Sequence, residues 1–181
     1  MLTYGDLPNS LPQMVPNTMY MTLIDDYSHH CTLKLLEKKS DASQKIKDYL
    51  TSILVQIGNM PKAMQTDNGG KFVNDDLKSQ IENWGMLLWL TAAPYSLQQN
   101  GIAECYNWTL ADLIWAMLLV QRIPKLLWAT AALYAVHLCN QAFTRAIPDK
   151  TPFEQWHKKQ PNVDQLQEFG IPVSILNEMI G

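Results

Sequence analysis

Apolar residues in this chain come first in short runs broken by turn formers, then in two long stretches near the C-terminal half. The run Tyr20 to Ile24, inside MYMTLIDDYS, is short and rich in β-formers, which predicts a buried strand. Cys31 to Leu36 (CTLKLL) alternates and predicts its hairpin partner. Ser40 can cap a helix from Asp41 to about Ile57, with Asp41 in the acid-favouring first turn. Ile46, Tyr49, Leu50, Ile53 and Leu54 fall on one face of that helix. Pro61 restarts the chain, and Lys62 to Thr66 predicts a short strand ending at Asp67. The Asn68-Gly69-Gly70 turn leads to a helix from about Asp75 to Trp84, then a strand over Met86 to Leu90. Thr91 to Gln99 predicts a loop around Pro94, and a long helix runs from near Asn100 to about Gln121. A further helix runs from Pro124 to about Phe143, and a short one from Thr151-Pro152 through His157. Gly170 to Leu176 predicts a last strand, while residues 7 to 18, with three prolines, predict a loop. Strands followed by alternating strands and helices indicate an α/β domain, a mixed central sheet flanked by helices.

Composition narrows the picture. At 181 residues and 47% apolar, the chain is about one domain with ample core. Charged residues make up 17%, net charge is -3 and the pI is about 5.7, which speaks against a strong non-specific grip on nucleic acid. Cys31, Cys105 and Cys139 form no CxxC pair, so neither a disulfide framework nor a zinc finger is expected, and a reducing intracellular compartment is. The N-terminus does not read as a signal peptide. The most apolar window, Leu113 to Val120, falls short of the ~20 residues a bilayer demands, so no membrane partner is expected.

Three carboxylates stand out. Asp67 sits where a strand runs out into a glycine turn, and ligands collect beyond the carboxyl ends of strands in α/β sheets. Glu104 falls in the first turn or two of the expected long helix, where the helix dipole favours an anion. Asp6 ends what would be a first strand. Carboxylates converging at one sheet end are what two Mg²⁺ or Mn²⁺ ions need. Two ions about 3.5–4 Å apart activate the attacking oxygen and stabilise the leaving one in displacement at phosphorus.

Longer motifs surround these residues. TDNGGKF (Thr66 to Phe72) and APYSLQQNGIAE (Ala93 to Glu104) resemble the second and third blocks of copia-type retrotransposon integrase cores. TLIDDYS (Thr22 to Ser28) resembles the strand after the first catalytic position of that family. LLWATAALYAVHLCNQ (Leu126 to Gln141) resembles its terminal helix, and KTPFEQWHKKQPNVDQLQEFG (Lys150 to Gly170) the stretch after the core. The five matches follow the family's order over nearly the whole chain.

The resemblance implies an RNase H-like fold over residues 1–145, with a truncated first strand, and a post-core extension over 146–181. It implies DNA strand transfer with Asp6, Asp67 and Glu104 as catalytic metal ligands, two Mg²⁺ or Mn²⁺ ions, and no small-molecule cofactor. Asn68, Gln99 and Asn100 are the expected DNA contacts. Element ends and target DNA are the expected partners, a homodimer the expected assembly and the nucleus the expected location. Asp6 stands in a degraded context: the family's DxCGP block here reads Asp6-Leu7-Pro8-Asn9-Ser10. Asp25 and Asp26 are rival carboxylates on the next strand.

The chain departs from the family in its cations. The places just after the glutamate, usually basic, hold Cys105, Tyr106 and Trp108, and His29 stands where arginine is favoured. No Lys or Arg occurs between Lys78 and Arg122, on the helix expected to lie along DNA, so DNA binding is expected to be weakened. The family's zinc-binding module and C-terminal basic region have no match in this sequence, and strand transfer by the isolated chain is expected to be poor. A degenerate copy and a catalytically dead, dimerising or partner-binding scaffold are therefore the two expectations. His29-His30-Cys31 lacks zinc spacing and reads as a solvated strand edge. Trp115 and Trp128 read as core, and Asn107 (NWT) matches the glycosylation pattern in a position expected to be helical.

Overall fold

The computed structural model describes residues 19–67, 74–91 and 97–172, the side chains of 67, 89–91 and 97–102 excepted. Asp6, the loop expected over 7 to 18 and the Asn68-Gly69-Gly70 turn lie outside these residues.

Strand β1 (Met19–Ile24) pairs antiparallel with β2 (Cys31–Leu36), from Met19↔Leu36 to Ile24↔Cys31. Helix α1 (Ala42–Ile57) follows. Strand β3 (Ala63–Asp67) then runs parallel to β4 (Leu87–Thr91), the crossover being helix α2 (Asp75–Asn83). Helices α3 (Leu97–Val120), α4 (Trp128–Gln141) and α5 (Pro152–His157) complete the described chain. Both pairing senses of the expected mixed sheet are present, as two separate two-stranded ladders among the described residues.

Burial on both faces of β1 explains its unbroken apolar run. Met21 and Leu23 face one cluster, built with Ile46, Leu50 and Ile53 of α1 and Leu77 and Ile81 of α2. Tyr20 and Ile24 face a second, built with Leu110, Ile114 and Leu118 of α3 and Ala131, Ala132 and Ala135 of α4. The result is a three-layer α/β/α body. Trp128 packs against Tyr20 at 6.4 Å between ring centroids, a core role as expected.

Local chemistry sets most helix ends. Asn74 Oδ1 accepts the Leu77 N–H at 2.8 Å and caps α2, and Lys47 of α1 pairs with Asp76. Around α5, Thr151 and Glu154 bond each other's backbone N–H groups, with Pro152 at the first helical position. Ser40 does not cap α1. A 3-10 turn over Lys39–Asp41 leads in, Asp41 accepts the Lys38 N–H at 3.0 Å, and the Ser40 hydroxyl donates to Asp41 Oδ1 instead. Helix α3 starts at Leu97 rather than Asn100, because Leu97, Gln98 and Gln99 are sound helix formers. Helix α4 stops at Gln141, with Ala142 already extended. Gly170 to Pro172 carry no strand, and the rest of the strand expected there lies outside the described residues.

Two polar devices lock α4 and α5 onto the hairpin. Buried Asn140 of α4 accepts the Cys31 N–H at 2.9 Å and donates to the Cys31 carbonyl at 2.8 Å. Its amide does for β2 what a neighbouring strand would. His30 stacks on Trp156 of α5 at 5.2 Å and 16°, with His157 edge-on at 5.6 Å. The His-His-Cys run is therefore no solvated edge: Cys31 is 1% exposed, and His30 is held under the short helix that the chain beyond 146 supplies.

Burial, then the nearby His157, pulls the His30 pKa down from 6.5 to about 4, against an opposing pull from Asp25. The unfolded chain thus takes up the proton first as pH falls through 6.5, and stability conferred by a neutral His30 is lost from there toward pH 4. Chemical unfolding should show a loss of about 2 kcal/mol between pH 7 and pH 5, most of it removed by His30→Phe, which keeps the stack. Asn140→Ala, which strands two buried backbone groups, should destabilise by about 2–5 kcal/mol in urea unfolding.

Candidate active site

Asp67 is the last residue of β3, registered opposite Thr91, the last residue of β4. Its backbone therefore stands at the carboxyl end of the parallel pair, where ligands gather in α/β sheets. Glu104 lies on α3, whose orientation is fixed by the core. Ala103, Leu110, Ala111 and Ile114 are buried, and the Thr22 hydroxyl of β1 donates to Asn107 Oδ1 at 3.2 Å. This leaves Glu104, Cys105, Trp108, Thr109 and Asp112 on the exposed side. Asn107 is 6% exposed, so glycosylation of the folded chain there is sterically closed.

The early start of α3 changes the electrostatic account of Glu104. It is the eighth residue of the helix, not a first-turn acid. At ~10 Å from the helix start, the dipole has little left to offer it. No Lys or Arg stands between Lys78 and Arg122, and the described ion pairs, Lys47–Asp76 and Lys78–Asp75, leave Glu104 out. Among the described residues its carboxylate is exposed and has no ion-pair partner.

Of the expected site residues, Glu104 is placed with its side chain and Asp67 with its backbone. Gln99 and Asn100 lie in the first turn of α3 by backbone, Gln99 in helix rather than loop, and Asp6 and Asn68 fall outside the described residues. Among the described residues, no group of three or more His, Cys, Asp or Glu is arranged to hold a metal. The rival Asp25 is occupied structurally: its Oδ2 accepts the Ser28 N–H at 2.8 Å and the Ser28 hydroxyl at 2.6 Å, closing the β1–β2 turn. In that turn His29 adopts a left-handed backbone at φ 52.

On the buried side of α3, the Tyr106 hydroxyl lies against the thiols of Cys31 and Cys139, neither in good hydrogen-bond geometry. Burial pushes the Cys31 thiol up to about 12 and raises Cys139, and burial with the two thiols raises Tyr106. These groups are inert at neutral pH. From sequence, Trp108 stood out only as a place where the family has a basic residue, not as a contact of its own. Its signal was available: Trp108 is four residues beyond Glu104, opposite the Ala103, Asn107, Leu110 and Ile114 face, and is 62% exposed.

The fold is RNase H-like, that of integrase catalytic cores. The HTLV-2 integrase catalytic core domain, solved with magnesium in a trimeric form, matches with a TM-score of 0.61 and 17% identity. The match covers 84% of this chain and 92% of that one. The catalytic core of BIV integrase matches with a TM-score of 0.60 and 15% identity over 86% of this chain and 92% of that one. In sequence, the chain is similar to part of the retrovirus-related Pol polyprotein of transposon TNT 1-94 from Nicotiana tabacum. It is 26% identical over 171 residues, 93% of this chain and 13% of the polyprotein. The Pol polyprotein of transposon RE2 from Arabidopsis thaliana is 24% identical over 168 residues, 92% of this chain and 11% of its own length. The resemblance to copia-type integrase cores therefore holds. The chain spans only 13% and 11% of the length of these relatives. No protein-family model matches it. No described helix is long and apolar enough to cross a membrane.

Thiol exposure gives a direct check on the placement of α3. Native protein treated with a thiol-reactive dye should show one fast-reacting group, Cys105, and Cys105→Ser should abolish that phase while Cys31 stays unreactive.

Proposed function

We propose that this chain is the catalytic core of a copia-type retrotransposon integrase that joins a DNA 3′-hydroxyl to a target phosphodiester. Asp6, Asp67 and Glu104 would hold two Mg²⁺ or Mn²⁺ ions. The carrying observation is Glu104, exposed on α3 and without an ion pair among the described residues, in a chain whose Asp67 closes β3 at the carboxyl end of a parallel pair. Carboxylate oxygens are the donors such hard cations prefer. The magnesium complex of the HTLV-2 core supports the choice of ion. Bound there, the ions would polarise the scissile phosphodiester and make the attacking hydroxyl a better nucleophile.

The chain's own residues would carry substrate placement. Asn68 adjoins Asp67, and Gln99 and Asn100 open α3. Their amides would position DNA by hydrogen bonds to phosphate and sugar. The exposed side of α3 brings no cation to that task, so we read the chain as a copy with a weakened DNA grip. Its location would be the nucleus.

A non-catalytic scaffold is the second reading. The bare face of α3 favours it, together with apolar side chains left open around α4: Leu126 at 65%, Leu133 at 47% and Phe143 at 74% exposure. Either reading fits a homodimer.

The test is joining activity on a branched DNA substrate in divalent metal. Losing a residue that only hydrogen-bonds a metal ligand already costs up to ~100-fold, so Asp67→Asn and Glu104→Gln should each reduce activity by at least about that factor. Activity unchanged in both variants would remove these residues from the site. A folded, dimeric wild-type chain with no activity would favour the scaffold.

A further inference from the structure

One turn beyond Glu104, the exposed side of α3 carries the Trp108 indole, 62% exposed. Glu104 lies four residues before it and Asp112 four after, so a carboxylate flanks the ring on each side along the helix. This surface cannot grip phosphate, because its charges repel it and no Lys or Arg stands between Lys78 and Arg122. It offers a large neutral π face to a partner that can do without cations. The apolar side chains near the end of α3, Leu119 and Val120, lie eleven and twelve residues further on, ~16 Å or more along the axis. Trp108 is therefore a single ring between acids and not the edge of that patch. Every nucleobase has a π face, and stacking on an aromatic side chain is nearly independent of sequence and carries no counterion term.

We infer that Trp108 is a stacking platform for an unpaired base at the DNA end that is joined beside Glu104. The inference rests on the integrase reading and names how this chain would hold DNA with its cations missing. Trp108 is a positioning residue, since it holds the strand and leaves the reacting atoms to the carboxylates.

The experiment compares two labelled probes in magnesium buffer with the full chain: a duplex with a short single-stranded 3′ overhang, and the same duplex blunt-ended. Trp108→Ala should weaken overhang binding about 10-fold, a loss that persists as salt rises, and should change blunt binding by less than about twofold. Trp108→Phe, which keeps a ring, should restore most of the affinity. Thermal unfolding and sedimentation of each variant monitor fold and assembly. Overhang binding by Trp108→Ala equal to wild type overturns the inference, as does equal loss on both probes. A variant that loses affinity because it changes oligomeric state assigns Trp108 to a protein interface and also overturns it. Those outcomes leave the integrase reading standing. A wild-type chain that binds neither probe removes both.

Discussion

Strand β1 has no solvent face, and the exposure of Glu104 is tied to the layers that cover it. Met21 and Leu23 are sealed by α1 and α2, while Tyr20 and Ile24 are sealed by α3 and α4. Thr22, buried between them, donates its hydroxyl to Asn107, and this bond sets the rotation of α3 about its axis. Turning α3 so that Glu104 pointed inward would strand that pair and bury a carboxylate, a cost of several kcal/mol at least. Asn140 completes the constraint from the other helix by pairing with the Cys31 backbone. Glu104 is exposed because its neighbours on the opposite face of α3 have nowhere else to go.

Holding metal and holding DNA separate cleanly in this chain. The first depends on oxygen donors, and Asp67 and Glu104 remain, each within a long recognisable motif. The second normally draws on positive charge, and the α3 surface has none. The net charge of -3 makes the deficit general rather than local. Whatever contact this surface makes must come from hydrogen-bonding amides and aromatic faces, both weaker over distance than a cation but far less sensitive to salt. The overall fold does not depend on cations there, because the exposed face of α3 carries none of the core.

Much of this was legible from the chain. The run Tyr20 to Ile24, the alternation in CTLKLL and the Thr151-Pro152 start each specify an element locally, and each formed. Other features depend on tertiary partners. His29-His30-Cys31 reads as an exposed edge until α5 and Asn140 cover it. The first turn of α3 reads as loop because Pro94 lies close by, yet Leu97 to Gln99 are helical, and this shift moves Glu104 out of the reach of the helix dipole. Ser40 looks like a cap, but Asp41, one residue later, takes the available backbone donor. Of the candidate site, the positions along the chain were readable for Asp67 and Glu104. Asn107 read only as a glycosylation pattern and Trp108 only as a missing cation, because the direction of a helical side chain is settled only when the buried face of its helix is known.

The divalent-metal site proposed for Asp6, Asp67 and Glu104 can be measured directly. Titration of the full chain with Mn²⁺, followed by electron paramagnetic resonance of the free ion and by calorimetry, addresses it without relying on DNA binding or turnover. Two ions should bind per chain, with affinity lost in Asp67→Asn and in Glu104→Gln while both variants stay folded. No saturable Mn²⁺ binding, or binding that both substitutions leave unchanged, would contradict it.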